Sequence, residues 1–78
     1  LDLSNNPFPS FPEPVVFLEQ LTFLGYSQAS GIHIATLPDT FDNLSQLKTL
    51  NLSSNSFSEV LSVIYNLRKL IHLDLSHN

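Results

Sequence analysis

The chain has no cysteine, so a disulfide framework and a thiolate zinc site are both excluded, and burial of apolar side chains must hold the fold together. That absence leans towards a reducing, cytoplasmic compartment over an extracellular one. Charge is scarce too. Asp, Glu, Lys and Arg make up 13% of the 78 residues, so Ser, Asn, Gln and Thr must do much of the solvating. Only three residues are Lys or Arg, and a net charge of −4 argues against nucleic acid or an anionic membrane as partner. No apolar run approaches the roughly 20 residues that span a bilayer, so no membrane insertion is expected. With two glycines there is no phosphate-cradling loop. Paired catalytic carboxylates at a defined spacing and a serine or cysteine triad are also missing, so neither an enzyme nor a cofactor is expected.

What the chain does have is an internal repeat. Leu1, Leu24, Leu50 and Leu73 are equivalent, at spacings of 23, 26 and 23 residues. Two places on come Leu3, Tyr26, Leu52 and Leu75. Further columns are Phe11, Leu37 and Val60; Val15, Phe41 and Ile64; Leu18, Leu44 and Leu67; and Leu21, Leu47 and Leu70. All twenty positions are apolar in a chain that is 42% apolar, so the register is not accidental. The alternation at Leu73 and Leu75 marks strands too short to form a sheet alone. Stacking the repeats lays them side by side in parallel, with the leucines in a shared interior. Where each strand turns away, an asparagine carries the donors and acceptors that satisfy backbone otherwise left unpaired. Asn6, Asn55 and Asn78 fit this ladder, whereas Ala29 stands in the same column and cannot.

The segments that return from strand to strand differ in character. Pro7, Pro9, Pro12 and Pro14 keep the first extended, with room for a short helical turn over 15–20. In the second, residues 40–46 suit one or two helical turns. The third, 59–68, has no breaker and apolar residues at 60, 64, 67 and 71, which predicts the best helix. An ordinary amphipathic helix in an α-helical bundle would explain this last segment but none of the other columns. The second repeat is three residues longer, which predicts a bulged loop over 30–36. There Gly31 supplies a positive φ, and Ile32 or Ile34 replaces the plug given by Phe8 and Phe57.

The motifs Leu47-x-x-Leu50-x-Leu52-x-x-Asn55-x-Phe57 and Leu70-x-x-Leu73-x-Leu75-x-x-Asn78 resemble the leucine-rich repeat family. So does the stretch Leu37-Pro38-x-x-Phe41-x-x-Leu44-x-x-Leu47. The resemblance implies an α/β leucine-rich-repeat solenoid. It is a right-handed superhelix with a short parallel sheet on its concave face and irregular or short helical segments on its convex face. Residues 1–78 then form one repeat region, with repeats at 1–23, 24–49 and 50–72 and the start of a fourth at 73–78. With no polar cap at either end, it is expected to be an internal piece of a longer solenoid, contacting neighbouring repeats of the same protein.

The resemblance also implies a protein–protein interaction module in which the concave face binds a protein partner. The alternatives are the recognition or regulatory arm of a multidomain enzyme, such as a kinase or ubiquitin ligase, and a ligand-binding segment of a receptor ectodomain. The candidate partner-binding residues are Phe23, Gly25, Gln28, Thr49, Asn51, Ser54, His72, Asp74 and His77. Phe23 is an aromatic among short polar side chains, suited either to anchor an interface or to pack on its neighbours. His72 and Asp74 project from one face of a strand with His77 near. Without a third ligand or a nucleophile, they read as solvated surface residues and no metal is expected. The serine column, Ser4, Ser27, Ser53 and Ser76, reads as structural. Asn43-Leu44-Ser45 and Asn51-Leu52-Ser53 match the N-glycosylation pattern, as by-products of the repeat.

Overall fold

The computed structural model describes residues 1–78 and contains three short strands alternating with three 3₁₀ helices. Strands β1 (Phe23–Gly25), β2 (Thr49–Asn51) and β3 (His72–Asp74) form one parallel sheet in the order β1-β2-β3. The register follows the leucine columns, with Leu24 opposite Leu50 and Leu50 opposite Leu73. Residues 1–5 run alongside β1 through a bridge between Asp2 and Gly25. There the Leu3 amide donates to the Gly25 carbonyl at 2.8 Å, and the Asn5 amide donates to Ser27 at 3.0 Å. Alternation of the leucines aims one face of every strand inward. Leu24, Leu50, Tyr26 and Leu52 are fully buried there, packed against Phe41, Leu44 and Leu47 from the return segments. No helix is long and apolar enough to cross a membrane.

The helices occupy Glu13–Phe17, Asp39–Asn43 and Ser62–Asn66, and the spacing of their buried residues explains why they are not α-helical. In the second repeat Phe41, Leu44 and Leu47 follow one another at intervals of three. Their amides donate to Pro38, Phe41 and Leu44, three residues back in each case, at 3.0, 3.2 and 3.1 Å. A helix of three residues per turn stacks such positions in one line facing the core, whereas 3.6 residues per turn would rotate them away. The third segment obeys the same rule through Leu61, Ile64, Leu67 and Leu70. The α-helix expected over 59–68 is therefore corrected to a single 3₁₀ helix over 62–66. Val60 is displaced from the core at 40% exposure, and Leu61 packs against it instead. Likewise the first helical turn begins at Glu13, ahead of the expected 15–20, with Pro14 in its first turn, where no amide donor is needed.

Core leucines at the two ends of the stack are less covered than those in the middle. Leu73 is 38% exposed and Leu18 also stands in solvent, because each is packed from one side only. The aromatic cluster within the stack is tight. Phe11 sits 5.1 Å from the Tyr26 ring and meets Phe41 edge-on at 5.3 Å, while Phe8 stacks on Tyr26 at 6.2 Å. The Tyr26 hydroxyl reaches into this cluster with no hydrogen-bond partner. Burial holds its pKa above the usual tyrosine value of 10.0. Tyr26→Phe removes an uncompensated hydroxyl while keeping the ring contacts, so it is expected to raise stability by about 1 kcal/mol in urea unfolding. A loss of stability would show that the hydroxyl has a partner.

The opening segment, β2 and β3 each end in the same two-step turn. The Ser4, Ser53 and Ser76 amides donate to the side-chain oxygens of Asp2, Asn51 and Asp74, two residues earlier, at 3.0, 3.0 and 2.9 Å. Then Asn5, Ser54 and His77 adopt left-handed φ values of 59°, 57° and 58°, turning the chain so that the next side chain, asparagine, points inward. Asn55 is the buried rung. Its Oδ1 accepts from the Ile34 amide, and its Nδ2 donates to the carbonyls of Tyr26, Leu52 and Ser53. Asn78 repeats the pattern with Phe57, Leu52, Leu75 and Ser76, and Asn6 holds Leu3 and Ser4.

The second repeat breaks this turn. Position 28 lacks the left-handed conformation of its counterparts, so its own side chain swings inward and does the work assigned to position 29. Gln28 Oε1 accepts from the Asn6 amide at 2.9 Å and its Nε2 donates to the Leu3 carbonyl at 3.1 Å. Gln28 has one more methylene than asparagine and starts one residue earlier, which makes up the reach. Gly31 is not left-handed either. It is a glycine because an added Cβ would overlap Gln28 Oε1 and lie 2.7 Å from the Asn6 carbonyl oxygen. Of the two plug candidates, Ile34 is buried and Ile32 is exposed.

Candidate functional site

The outward face of the sheet is ordered in rows by the strand register. One row holds Phe23, Thr49 and His72, and the next holds Asp2, Gly25, Asn51 and Asp74. Between them lies an open depression of about 510 Å³ lined by Phe23, Thr49, Asn51, Ile71, His72 and Asp74. Short strands paired on a packed core hold these side chains more firmly than a loop would.

Phe23 is 43% exposed, and its ring leans along the strand over Gly25. A Cβ on Gly25 would sit 3.4 Å from Phe23 Cζ and 2.9 Å from Asp2 Oδ1, so the aromatic ring and the carboxylate close over the glycine and a side chain there would displace them. Asn51 and Asp74 are oriented by their turns. Asn51 Oδ1 accepts from the Ser53 amide and from the Ser53 hydroxyl at 2.7 Å, leaving its NH₂ unpaired. The Ser53 hydroxyl in turn lies 2.9 Å from that of Ser27, linking the serine column across the strands. Asp74 Oδ1 accepts from the Ser76 hydroxyl at 2.6 Å and from its amide at 2.9 Å, and Oδ2 is left open. Hydrogen bonds from the Ser76 side chain and backbone, with a smaller contribution from His77, hold the Asp74 pKa below the usual carboxylate value. Bonds from Ser4 do the same for Asp2. Both acids are therefore ionised at neutral pH.

Of the nine candidate residues, Phe23, Thr49, Asn51, His72 and Asp74 converge on the depression. Gly25 forms buried floor beside it. Ser54 is half-buried at the left-handed turn after β2, and His77 is exposed at the corresponding turn after β3. Gln28 is a correction: at 0% exposure it cannot meet a partner, because its amide is spent on the backbone of the first repeat. Ile71 is an addition. It is 69% exposed at the rim, in a column whose other members are Thr22 and Lys48. One isoleucine among polar equivalents was the signal that could have identified it.

Repeat spacing, parallel three-residue strands, a three-residue stagger on the convex side and an asparagine ladder are now all in place. A family model described as leucine rich repeat matches residues 35–78, more than half of the chain. The chain belongs to the leucine-rich repeat family. Such repeats are non-catalytic scaffolds whose function lies in what their surfaces bind. Among curated proteins, this leucine-rich repeat chain is 41% identical over its whole length to Receptor-like protein 39 of Arabidopsis thaliana, covering 9% of that protein. It is 42% identical over 82% of its length to Receptor-like protein 41 of the same plant, covering 6% of it. It is 38% identical over its whole length to Adenylate cyclase of Schizosaccharomyces pombe, covering 4% of that protein. The chain thus spans less than a tenth of the relatives it matches. No solved structure gives a significant match.

Proposed function

We propose that this leucine-rich repeat segment is a protein-binding module that takes its partner on the outward face of the sheet, across β1, β2 and β3. One observation carries the reading: an aromatic side chain, Phe23, stands 43% exposed beside an open depression and over a glycine floor. Aromatic anchors set in rigid, partly desolvated surroundings supply a large share of binding energy at protein interfaces. Placing the segment within a larger receptor is supported by two relatives named as receptor-like proteins, and placing it as the recognition arm of an enzyme by the adenylate cyclase. In either setting the open ends of the stack, at Leu18 and Leu73, are where further repeats would pack.

A photo-crosslinking amino acid at position 49, on the proposed face, is expected to capture a specific protein when the full-length protein is irradiated in cells. The same probe at position 43, exposed on the convex side, should not. Capture from position 43 alone would place the interface on the other side of the solenoid.

A further inference from the structure

We propose that the partner presents an extended segment carrying basic residues four positions apart with an apolar residue midway between them. This rests on the reading that the outward sheet face is the interface, and it adds the chemistry of what is bound. The acids on that face are Asp2 and Asp74, both in the row Asp2, Gly25, Asn51, Asp74, and each accepts through Oδ1 with Oδ2 left over. Three strand-to-strand steps of about 4.8 Å put the two carboxylates roughly 14 Å apart. An extended peptide lying across the strands advances about 3.4 Å per residue, so side chains four apart match that span and project from one side. The residue midway between them falls between Gly25 and Asn51. There the Phe23 ring, lying over Gly25, gives apolar surface. The free NH₂ of Asn51 remains to pair with a peptide carbonyl.

The charge balance of the surroundings favours the same orientation. No Lys or Arg belongs to the two rows, and His72 and His77 are the titratable neighbours of Asp74. The Leu1 α-ammonium adjoins Asp2 and donates to the Phe23 carbonyl at 3.1 Å, and the nearest basic side chain is that of Lys48, one residue before β2 and about 10 Å along the strand from the Asn51 row. Lys48 therefore repels a cation placed towards the strand starts and steers it to the aspartates. Asp74→Asn is a clean probe because Asn51, in the same column, already makes the same turn with its own Oδ1.

The experiment is selection of phage-displayed random peptides on the full-length protein, followed by affinity measurement of the selected peptides against variants. Basic residues four apart around an apolar one are expected to be enriched, with binding that weakens as salt is raised. Asp74→Asn and Phe23→Ala should each weaken the selected peptides about tenfold. A peptide with its basic residues changed to Glu should regain affinity for the Asp2→Lys/Asp74→Lys protein. Selected peptides that lose affinity with Phe23→Ala but are acidic, uncharged or indifferent to Asp74→Asn would overturn the basic-segment proposal and leave the interface reading standing. Peptides indifferent to every substitution on this face would overturn both.

Discussion

Asn55→Ala is expected to destabilise the repeat region by about 3–5 kcal/mol, more than the corresponding change at either other ladder asparagine. The size follows from what is left behind. Asn55 is buried, and removing its amide orphans the Ile34 amide and the Tyr26 carbonyl, at about 1–3 kcal/mol each, besides weakening the turn at Ser53. The Leu52 carbonyl keeps a donor, since Asn78 Nδ2 also reaches it at 3.0 Å. Asn6 and Asn78 sit nearer solvent, where water replaces part of what alanine removes, so about 1 kcal/mol is expected there. Asn55→Asp fits the same space but points a carboxylate at three carbonyls, and it should be no better than alanine. Hydrogen exchange gives the local readout: the Ile34 amide should exchange on the order of a hundredfold faster in Asn55→Ala, since 1.4 kcal/mol is a factor of ten. Protection unchanged at Ile34 would mean the rung does not carry the stability ascribed to it.

The same ladder shows how far the fold can be read from residue order. Period-2 leucines and a recurrent asparagine report backbone geometry directly, because a buried turn has few ways to satisfy its carbonyls. The strands, their register and three of the four rungs were therefore legible. The fourth was not, since Gln28 replaces asparagine only through a change of backbone at position 28, and conformation leaves no mark in a column of letters. The helix type was legible in principle. Residues 61, 64, 67 and 70 are spaced by three throughout, whereas the apolar residues 60, 64, 67 and 71 in the same segment have the mixed spacing of an α-helix. The binding face was half legible. Alternation identifies the outward residues, but only packing shows that Gly25 is floor, that Gln28 has turned inside, and that Ile71 closes the rim.

Gly31→Ala is expected to cost about 3–5 kcal/mol although residue 31 is part of the longest loop and outside the main apolar core. The loop is held at three points: the Ser30 amide donates to Asn5 Oδ1 at 2.9 Å, the Gly31 amide to the Gln28 carbonyl at 3.2 Å, and the Asn6 amide to Gln28 Oε1. A Cβ would meet Gln28 Oε1 and both the oxygen and nitrogen of Asn6, at 2.7 and 3.0 Å for the latter pair. The Asn6 backbone cannot retreat, because its own side chain is tied to Leu3 and Ser4. Relief therefore comes by expelling Gln28, which leaves the Asn6 amide unpaired and the Leu3 carbonyl with Asn6 Nδ2 alone, on top of the strain of overpacking. The double variant separates this from a simple steric defect. With Gln28→Ala already in place the rung is lost beforehand, so adding Gly31→Ala should cost less than it does alone, with a coupling of about 1–3 kcal/mol in a double-mutant cycle read by urea unfolding. Strict additivity would mean that Gly31 is kept for contacts with Asn6 alone and that Gln28 has no part in its choice.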